Sequence, residues 1–378
     1  MKNLKFSYTR ESLFPGFDGV LCKVNPKIAF DGKNTALLHY SMLNLSGSDV
    51  FKENYIAKST DGGKTFGNAV KLAEVERITA DGSKEVFFPV TIHYNKQYNK
   101  WFATGILMYY KNDFEHLRHN GIGITKPVLV MLNPNTLSWI GEPIPIPLPF
   151  DCIGAVPHAQ PIIFDNSEML FGFYLHAETE TVSSVITVRY RFDGEKLNLI
   201  KSGSLLRGDG YSRGFIEPSL AKLKDKYYIT LRTDEVGLFA TSDDGYTFSN
   251  VMPWRFDDGS LIGNYNTMQR FIRHKDALYL TYTRKGAHND HIFRHRAPLF
   301  MARFDEEKNC LIKDSEVILV PELGARLGNF NVTDVSENEF WLLTAEWMQT
   351  TEPNPYDWKN CVKYGADNRI WRAKILFE

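Results

Sequence analysis

The chain lacks any run of about 18 apolar residues, so no helical membrane span is expected. Cysteine is scarce. Cys22, Cys152, Cys310 and Cys361 lie far apart with no CxxC pair, which removes a zinc or redox signature and a dense disulfide framework. Free, buried thiols are the expectation. Charge imbalance is also missing: the formal net charge is −1, which argues against a broad nucleic-acid footprint, and no nucleic-acid partner is expected. Residues Met1 to Phe6 contain no apolar signal core, so the expectation is a cytoplasmic protein or one whose leader has been removed. No stretch sustains the i, i+3, i+4, i+7 apolar stripe of a long amphipathic helix.

What is abundant is aromatic side chains, 13% of 378 residues. Such residues suit pleated, half-buried surfaces, and equally a sugar-binding cleft. One pattern recurs along the chain: a short apolar strand, a polar turn, then a strongly apolar strand. Its copies start at Pro26, Pro89, Pro161, Pro218, Arg270 and Val332, between 52 and 72 residues apart. The second strands begin near Ala36, Trp101, Met169, Tyr227, Leu278 and Phe340. Each interval has room for a four-stranded sheet and a loop. Short strands at steady spacing with turn chemistry between them predict an all-β fold. Radial repetition protects the edges of such sheets, so the reading is a six-bladed β-propeller occupying residues 1–378 as a single domain. Seven blades result if the first 25 residues contribute to another.

Two octapeptides sharpen the repeat. Ser59-Thr60-Asp61-Gly62-Gly63-Lys64-Thr65-Phe66 and Thr241-Ser242-Asp243-Asp244-Gly245-Tyr246-Thr247-Phe248 share the pattern Ser/Thr-x-Asp-x-Gly-x-Thr-Phe. Asp61 and Asp243 can accept backbone hydrogen bonds across a turn, Gly63 and Gly245 permit positive φ, and Phe66 and Phe248 can pack between sheets. The octapeptides resemble the Asp-boxes of the sialidase (BNR-repeat) superfamily, where such boxes are structural and lie away from the active site. Two sialidase features have no counterpart. Val24-Asn25-Pro26-Lys27 stands where an Arg-Ile-Pro motif would, and Leu327-Gly328-Asn329-Phe330-Asn331-Val332 stands where the late tyrosine would. The resemblance therefore implies a sialidase-like propeller rather than a standard sialidase.

In a propeller the innermost strands converge on one mouth, where a ligand sits. Repeat starts would bring there Asn25, Phe88, His158, Gln160, Glu217, Asn266, Gln269, Arg270, Asn329 and Asn331; second-strand ends add His176, Arg232, Arg284 and Glu346. The segments Gly214 to Leu220 and Thr230 to Glu235 resemble the sialidase stretch that carries a catalytic Glu and a carboxylate-binding Arg. That resemblance makes Glu217 a candidate acid or base and Arg232 a clamp, because a guanidinium can donate two parallel hydrogen bonds to a carboxylate. The alternative is a Glu–Arg pair that only staples two strands.

A second cluster, His288-Asn289-Asp290-His291 followed by Arg294-His295-Arg296, offers histidines for proton transfer or arginines for an anionic sugar. No metal or other cofactor is expected, since no carboxylate–histidine pattern reinforces a metal site. Arg326 and Glu346 complete the candidates. Trp347 is read either as a stacking platform or as a core residue. The leading expectation is an exo-acting glycoside hydrolase on an acidic or uronate-containing oligosaccharide or polysaccharide. Glu217 would be paired with Glu346, Asp234 or Glu235 as the two carboxylates. Propeller lyases acting at uronic acids, which use histidine, tyrosine and arginine, suggest elimination through His158, His288, His291 or His295, with Arg232 and Arg296 neutralising the carboxylate. A non-catalytic glycan- or protein-binding propeller is the third reading.

Overall fold

The computed structural model describes residues 5–45, 51–74, 76–112, 115–116, 118–119, 122–177 and 180–378. The fold is all-β, as the repeat predicts, with one six-residue α-helix at Trp358–Lys363 among the described residues. The main strands are β1 (Phe6–Leu13), β2 (Leu21–Phe30), β3 (Ala36–Asn44), β4 (Phe51–Ser59), β5 (Val70–Lys71), β6 (Lys84–Asn95), β7 (Lys100–Asn112), β8 (Thr125–Asn133) and β9 (Ser138–Pro145). There follow β10 (Gly154–Pro157), β11 (Glu168–His176), β12 (Ser184–Phe192), β13 (Leu197–Ser202), β14 (Ile216–Leu223), β15 (Lys226–Arg232), β16 (Gly237–Ser242) and β17 (Ser249–Pro253). The last are β18 (Arg270–His274), β19 (Ala277–Thr283), β20 (Leu299–Asp305), β21 (Val317–Val320), β22 (Arg326–Asp334), β23 (Glu339–Trp347) and β24 (Ile370–Phe377).

Antiparallel sheets follow in chain order. β2 to β5 form a four-stranded sheet, β6 to β13 the body of an eleven-stranded one, β14 to β17 a four-stranded one, and β18 to β21 the body of a five-stranded one. The eleven-stranded sheet is two meanders, joined where β8 meets β10 by a single parallel pair, Thr125 with Gly154. The last sheet runs β22-β23-β24-β1, with β1 in register from Phe6 opposite Phe377 to Leu13 opposite Ile370.

Apolar clusters sit between successive sheets. Leu37 and Ile56 pack with Trp101 and Val130, Phe102 and Leu129 with Phe171 and Phe173, and Leu170 with Leu220 and Ile229. Tyr228 and Phe239 then pack with Phe271 and Phe304, Tyr279 and Met301 with Leu342 and Ile375, and Trp341 and Leu343 with Leu38 and Tyr40 of the first sheet. The succession therefore returns to its start. Central strands such as β3 and β11 are buried on both faces, which explains their near-continuous apolar runs, whereas outer strands such as β13 and β17 are largely exposed. Each fully buried aromatic contributes roughly 1.5–3 kcal/mol.

The two octapeptides form turns, but not identical ones. In the first, Asp61 accepts from Ser59 Oγ at 2.7 Å and from the Thr65 amide at 3.0 Å, while Gly63 N donates to Ser59 Oγ. In the second, the accepting carboxylate is Asp244, not the expected Asp243. Asp244 Oδ1 accepts from the amides of Tyr246 and Thr247, each at 2.8 Å, and from Ser242 Oγ at 2.9 Å. Ser242 and Asp244 thus keep the two-residue offset of Ser59 and Asp61, one position later than the pattern suggests. Phe66 and Phe248 do pack against inter-sheet clusters. All four cysteines are free, and Cys152 is the one not fully buried.

Candidate anion-binding cavity

Three inner strands carry the same irregularity. The β2–β3, β14–β15 and β22–β23 ladders each shift register near the start of the inner strand, between Val24 and Lys27, Ile216 and Ser219, and Gly328 and Asn331. At each shift one residue is left-handed: Asn25 at φ +51°, Glu217 at φ +50° and Asn329 at φ +55°. Bulges re-aim side chains, and all three of these residues line one cavity of about 660 Å³. A non-glycine residue held there costs on the order of 1–3 kcal/mol, most plainly for Glu217.

The cavity has two unlike walls. Phe51, Phe88, Val90, Ile106, Met108 and Val156, all from the first half of the chain, form the apolar one, with Phe51 and Phe88 stacked at 3.9 Å. The second half supplies Arg213, Arg232, Arg270, Arg294, Arg296 and Arg326. With Lys27, seven basic side chains line the cavity against two carboxylates, Glu217 and Glu352, among the described residues. The surplus is positive, and an anion is the complement.

Glu217 Oε2 lies 2.6 Å from Arg232 Nη1. Burial raises the Glu217 pKa, but the basic groups around it, Arg232 first, outweigh burial and bring it down to about 2. This carboxylate is ionised at neutral pH, so it can serve as a base, nucleophile or electrostatic stabiliser but not as a proton donor. Asn266, left-handed at φ +49°, holds the neighbouring guanidiniums from behind. Its Oδ1 accepts from Arg232 Nη2 at 2.7 Å, and its carbonyl accepts from Arg296 Nε at 3.0 Å. Arg270 is fully buried, donating to His158 Nδ1 and to Ser219 Oγ, each at 2.7 Å. Burial brings both Arg270 and Arg296 down to about 9. Arg326 lies 3.4 Å from the centre of the Trp347 ring, so this tryptophan faces the cavity with a cation on its face.

His158 lines the cavity in a fixed neutral form. Burial and then Arg270 hold its pKa well below the usual histidine value, its Nδ1 lone pair is taken by Arg270, and the ring also bonds the Pro218 carbonyl. It has no lone pair left for a substrate proton.

Glu217, Arg232, Arg270, Arg296 and Arg326, with His158 and Asn329, are thus brought together. Other sequence candidates are not. Glu346 is buried outside the lining: Oε2 accepts from the Asp367 amide at 2.8 Å and Oε1 from Trp371 Nε1 at 2.9 Å, so both oxygens are engaged by neighbouring chain. The histidine-rich loop sends its arginines inward and its histidines elsewhere. His291 bonds Glu322 at 3.0 Å, His295 bonds Tyr265 at 2.5 Å, and His288 is exposed. Gln160 clasps the Phe271 backbone from both amide atoms, and Gln269 is buried against the Thr267 carbonyl. Asp234 is engaged by Arg213 through two 2.6 Å contacts, and Glu235 caps the Ser212 amide. Sequence reasoning missed Lys27, Arg213 and Glu352. Lys27 follows the Asn25-Pro26 bulge directly, and that placement was the available signal.

No protein-family model matches the chain, and no curated protein matches its sequence. Solved structures do. A protein of unknown function from Dyadobacter fermentans is 14% identical with a TM-score of 0.62, over 98% of this chain and 99% of that one. The NanB sialidase of Streptococcus pneumoniae is 12% identical with a TM-score of 0.61, over 96% of this chain and 70% of that one. An α-L-arabinofuranosidase of Fusarium graminearum is 11% identical with a TM-score of 0.55, over 98% and 97%. At such identities the likeness shows architecture alone: the fold is all-β and resembles the β-propellers of these proteins.

Proposed function

We propose that the chain is a carbohydrate-active enzyme, an exo-acting glycoside hydrolase that takes an acidic, uronate-type sugar in this cavity. The observation that carries the reading is the convergence of Arg232, Arg270, Arg296 and Arg326 around an ionised Glu217. Support at a coarser level comes from fold neighbours that include a sialidase and an arabinofuranosidase. The cavity volume is in the range of small-ligand pockets, suited to one chain end.

Glycoside cleavage needs a proton for the leaving oxygen and a base or nucleophile at the anomeric carbon. Glu217 fills the second role. Glu352, the other lining carboxylate, replaces Glu346 as the proton donor in this scheme. The arginines hold the sugar carboxylate, and Trp347 backs Arg326 with its ring face. Elimination loses support because the histidines of the 288–295 loop do not line the cavity and the His158 lone pair is occupied.

The same proposal includes the architecture: six blades forming one domain over 1–378. The eleven-stranded sheet counts as two blades because a single residue pair joins its halves. The N-terminal segment, the source of a possible seventh blade, instead adds β1 to the last sheet and begins β2.

The test is Glu217→Gln and His291→Ala on a panel of uronate-rich oligosaccharides. New reducing ends in wild type and His291→Ala, lost in Glu217→Gln and without absorbance from an unsaturated uronate, are expected. Unsaturated products would establish elimination instead. Binding without turnover in wild type would make the protein a glycan receptor.

A further inference from the structure

Lys27 has no part in the scheme above, yet it is buried and lines the cavity. Its Nζ donates to the Pro89 carbonyl at 2.6 Å and lies 5.0 Å from the centre of the Phe88 ring. It therefore stands at the seam between the apolar wall and the arginines. β2 packs against β3, β6, β22 and β23. The titratable groups that act on Lys27 are His39 of β3 and Arg270 of β18. His39 is buried and held neutral, well below the usual histidine value, by burial above all and by Lys27 when that is charged. Arg270 is then the one charge acting on the amine, and it repels. No carboxylate among the described residues offsets it.

Two desolvated basic groups thus border one cavity, and the carboxylate that acts on Arg270, Glu217, does not offset the charge on Lys27. Hydrogen bonding to a single carbonyl leaves an ammonium with two further donors, a costly state for a buried charge. Burial first, and Arg270 second, bring the Lys27 pKa down to about 7. An anionic group entering beside Arg270 would supply the missing counter-charge.

We propose that Lys27 is the proton-linked arm of the anion site, an amine only partly protonated in the empty cavity at neutral pH that becomes fully an ammonium when the acidic group of a sugar binds beside Arg270. The inference rests on reading the cavity as an anion site. A neutral sugar gains nothing from this arm, so Lys27 selects acidic ligands over their uncharged counterparts. The complex favours the ammonium, so the Lys27 pKa is higher with ligand than without. Binding then takes up a proton, and affinity falls as pH rises above about 7, by up to about tenfold per pH unit.

Isothermal titration calorimetry with glucuronate and with inorganic sulfate tests this on the full chain. Buffers of different ionisation enthalpy, from about pH 6 to about pH 8.5, report the proton count. Wild type should take up about a tenth of a proton at about pH 6 and about nine-tenths at about pH 8. Lys27→Arg, permanently charged, should bind with an affinity that is flat across the range, and Lys27→Met should bind weakly throughout. Binding by wild type without proton uptake, or a wild-type pH dependence retained in Lys27→Arg, overturns the inference and leaves the anion site standing. No binding of either probe by wild type overturns both. Should neither variant fold, the wild-type proton count decides alone.

Discussion

Arg270 Nη1 donates to His158 Nδ1 at 2.7 Å, joining residues 112 positions apart. The same imidazole bonds the Pro218 carbonyl, next to the left-handed Glu217. One buried guanidinium therefore fixes a histidine, and the histidine steadies the bulge that presents the cavity's carboxylate. Arg270→Met removes a positive charge that depresses both His158 and Lys27. Both should then titrate at higher pH, Lys27 above about 7, as followed by NMR of the imidazole and ammonium resonances. Unchanged titration of both would assign their depression to burial alone.

Glu217 links the site to acid stability. Its folded pKa of about 2 lies below its ordinary 4.5, so its contribution is complete above about 4.5 and is lost as pH falls toward 2. Wild type should lose on the order of 3 kcal/mol through this window from Glu217 alone. Glu217→Gln should be less stable at neutral pH, having left Arg232 without its partner, and should decline less steeply between about pH 5 and about pH 2. Denaturant melts at several pH values give both quantities.

The paired turns make a discriminating pair of substitutions. Asp244→Ala removes the acceptor of three hydrogen bonds and should cost about 1 kcal/mol or more. Asp243→Ala should stay within about 0.5 kcal/mol of wild type. Equal effects in urea unfolding would restore Asp243 to the role its place in the octapeptide suggests.

Gly63 and Gly245 share φ +79° but not surroundings. A Cβ on Gly63 would fall 2.2 Å from the Trp341 ring, and one on Gly245 would fall 3.0 Å from Tyr227. Backbone strain of about 1–2 kcal/mol applies to both alanine variants. Overpacking of about 1–3 kcal/mol more falls chiefly on Gly63→Ala. Its thermal midpoint should drop further than that of Gly245→Ala, and the reverse order would refute the account.

Much of the architecture is legible in the residues because it is local. Polar turns, the apolar second strands and the starts at Pro26, Pro89 and Pro218 need only nearest-neighbour chemistry. Residues at the repeat starts also point inward, since Asn25, Phe88, Glu217 and Asn329 all line the cavity. The histidine-rich loop shows what density of reactive side chains does not reveal. Its residues sit close in sequence, but Glu322 and Tyr265, from other segments, draw two of its imidazoles away. Glu346 is placed by similar forces: its position at the end of β23 suits a mouth residue, whereas the amide of Asp367 and the indole of Trp371 engage its oxygens away from the lining. Lys27 escaped notice because its peculiarity is the lack of a counter-charge, which its place after Asn25-Pro26 hints at only once the bulge is seen.

The pairing of Phe6–Leu13 with Ile370–Phe377 has a consequence for a severed chain. The sheet that also bears Arg326 and Asn329 is complete only once residues 370–377 have paired with residues 6–13. The bulges at Asn25 and Glu217 lie in other sheets and line the cavity together with this one. A cut chain that cannot rejoin these two strands should therefore lose the cavity as a whole rather than loosen one wall of it.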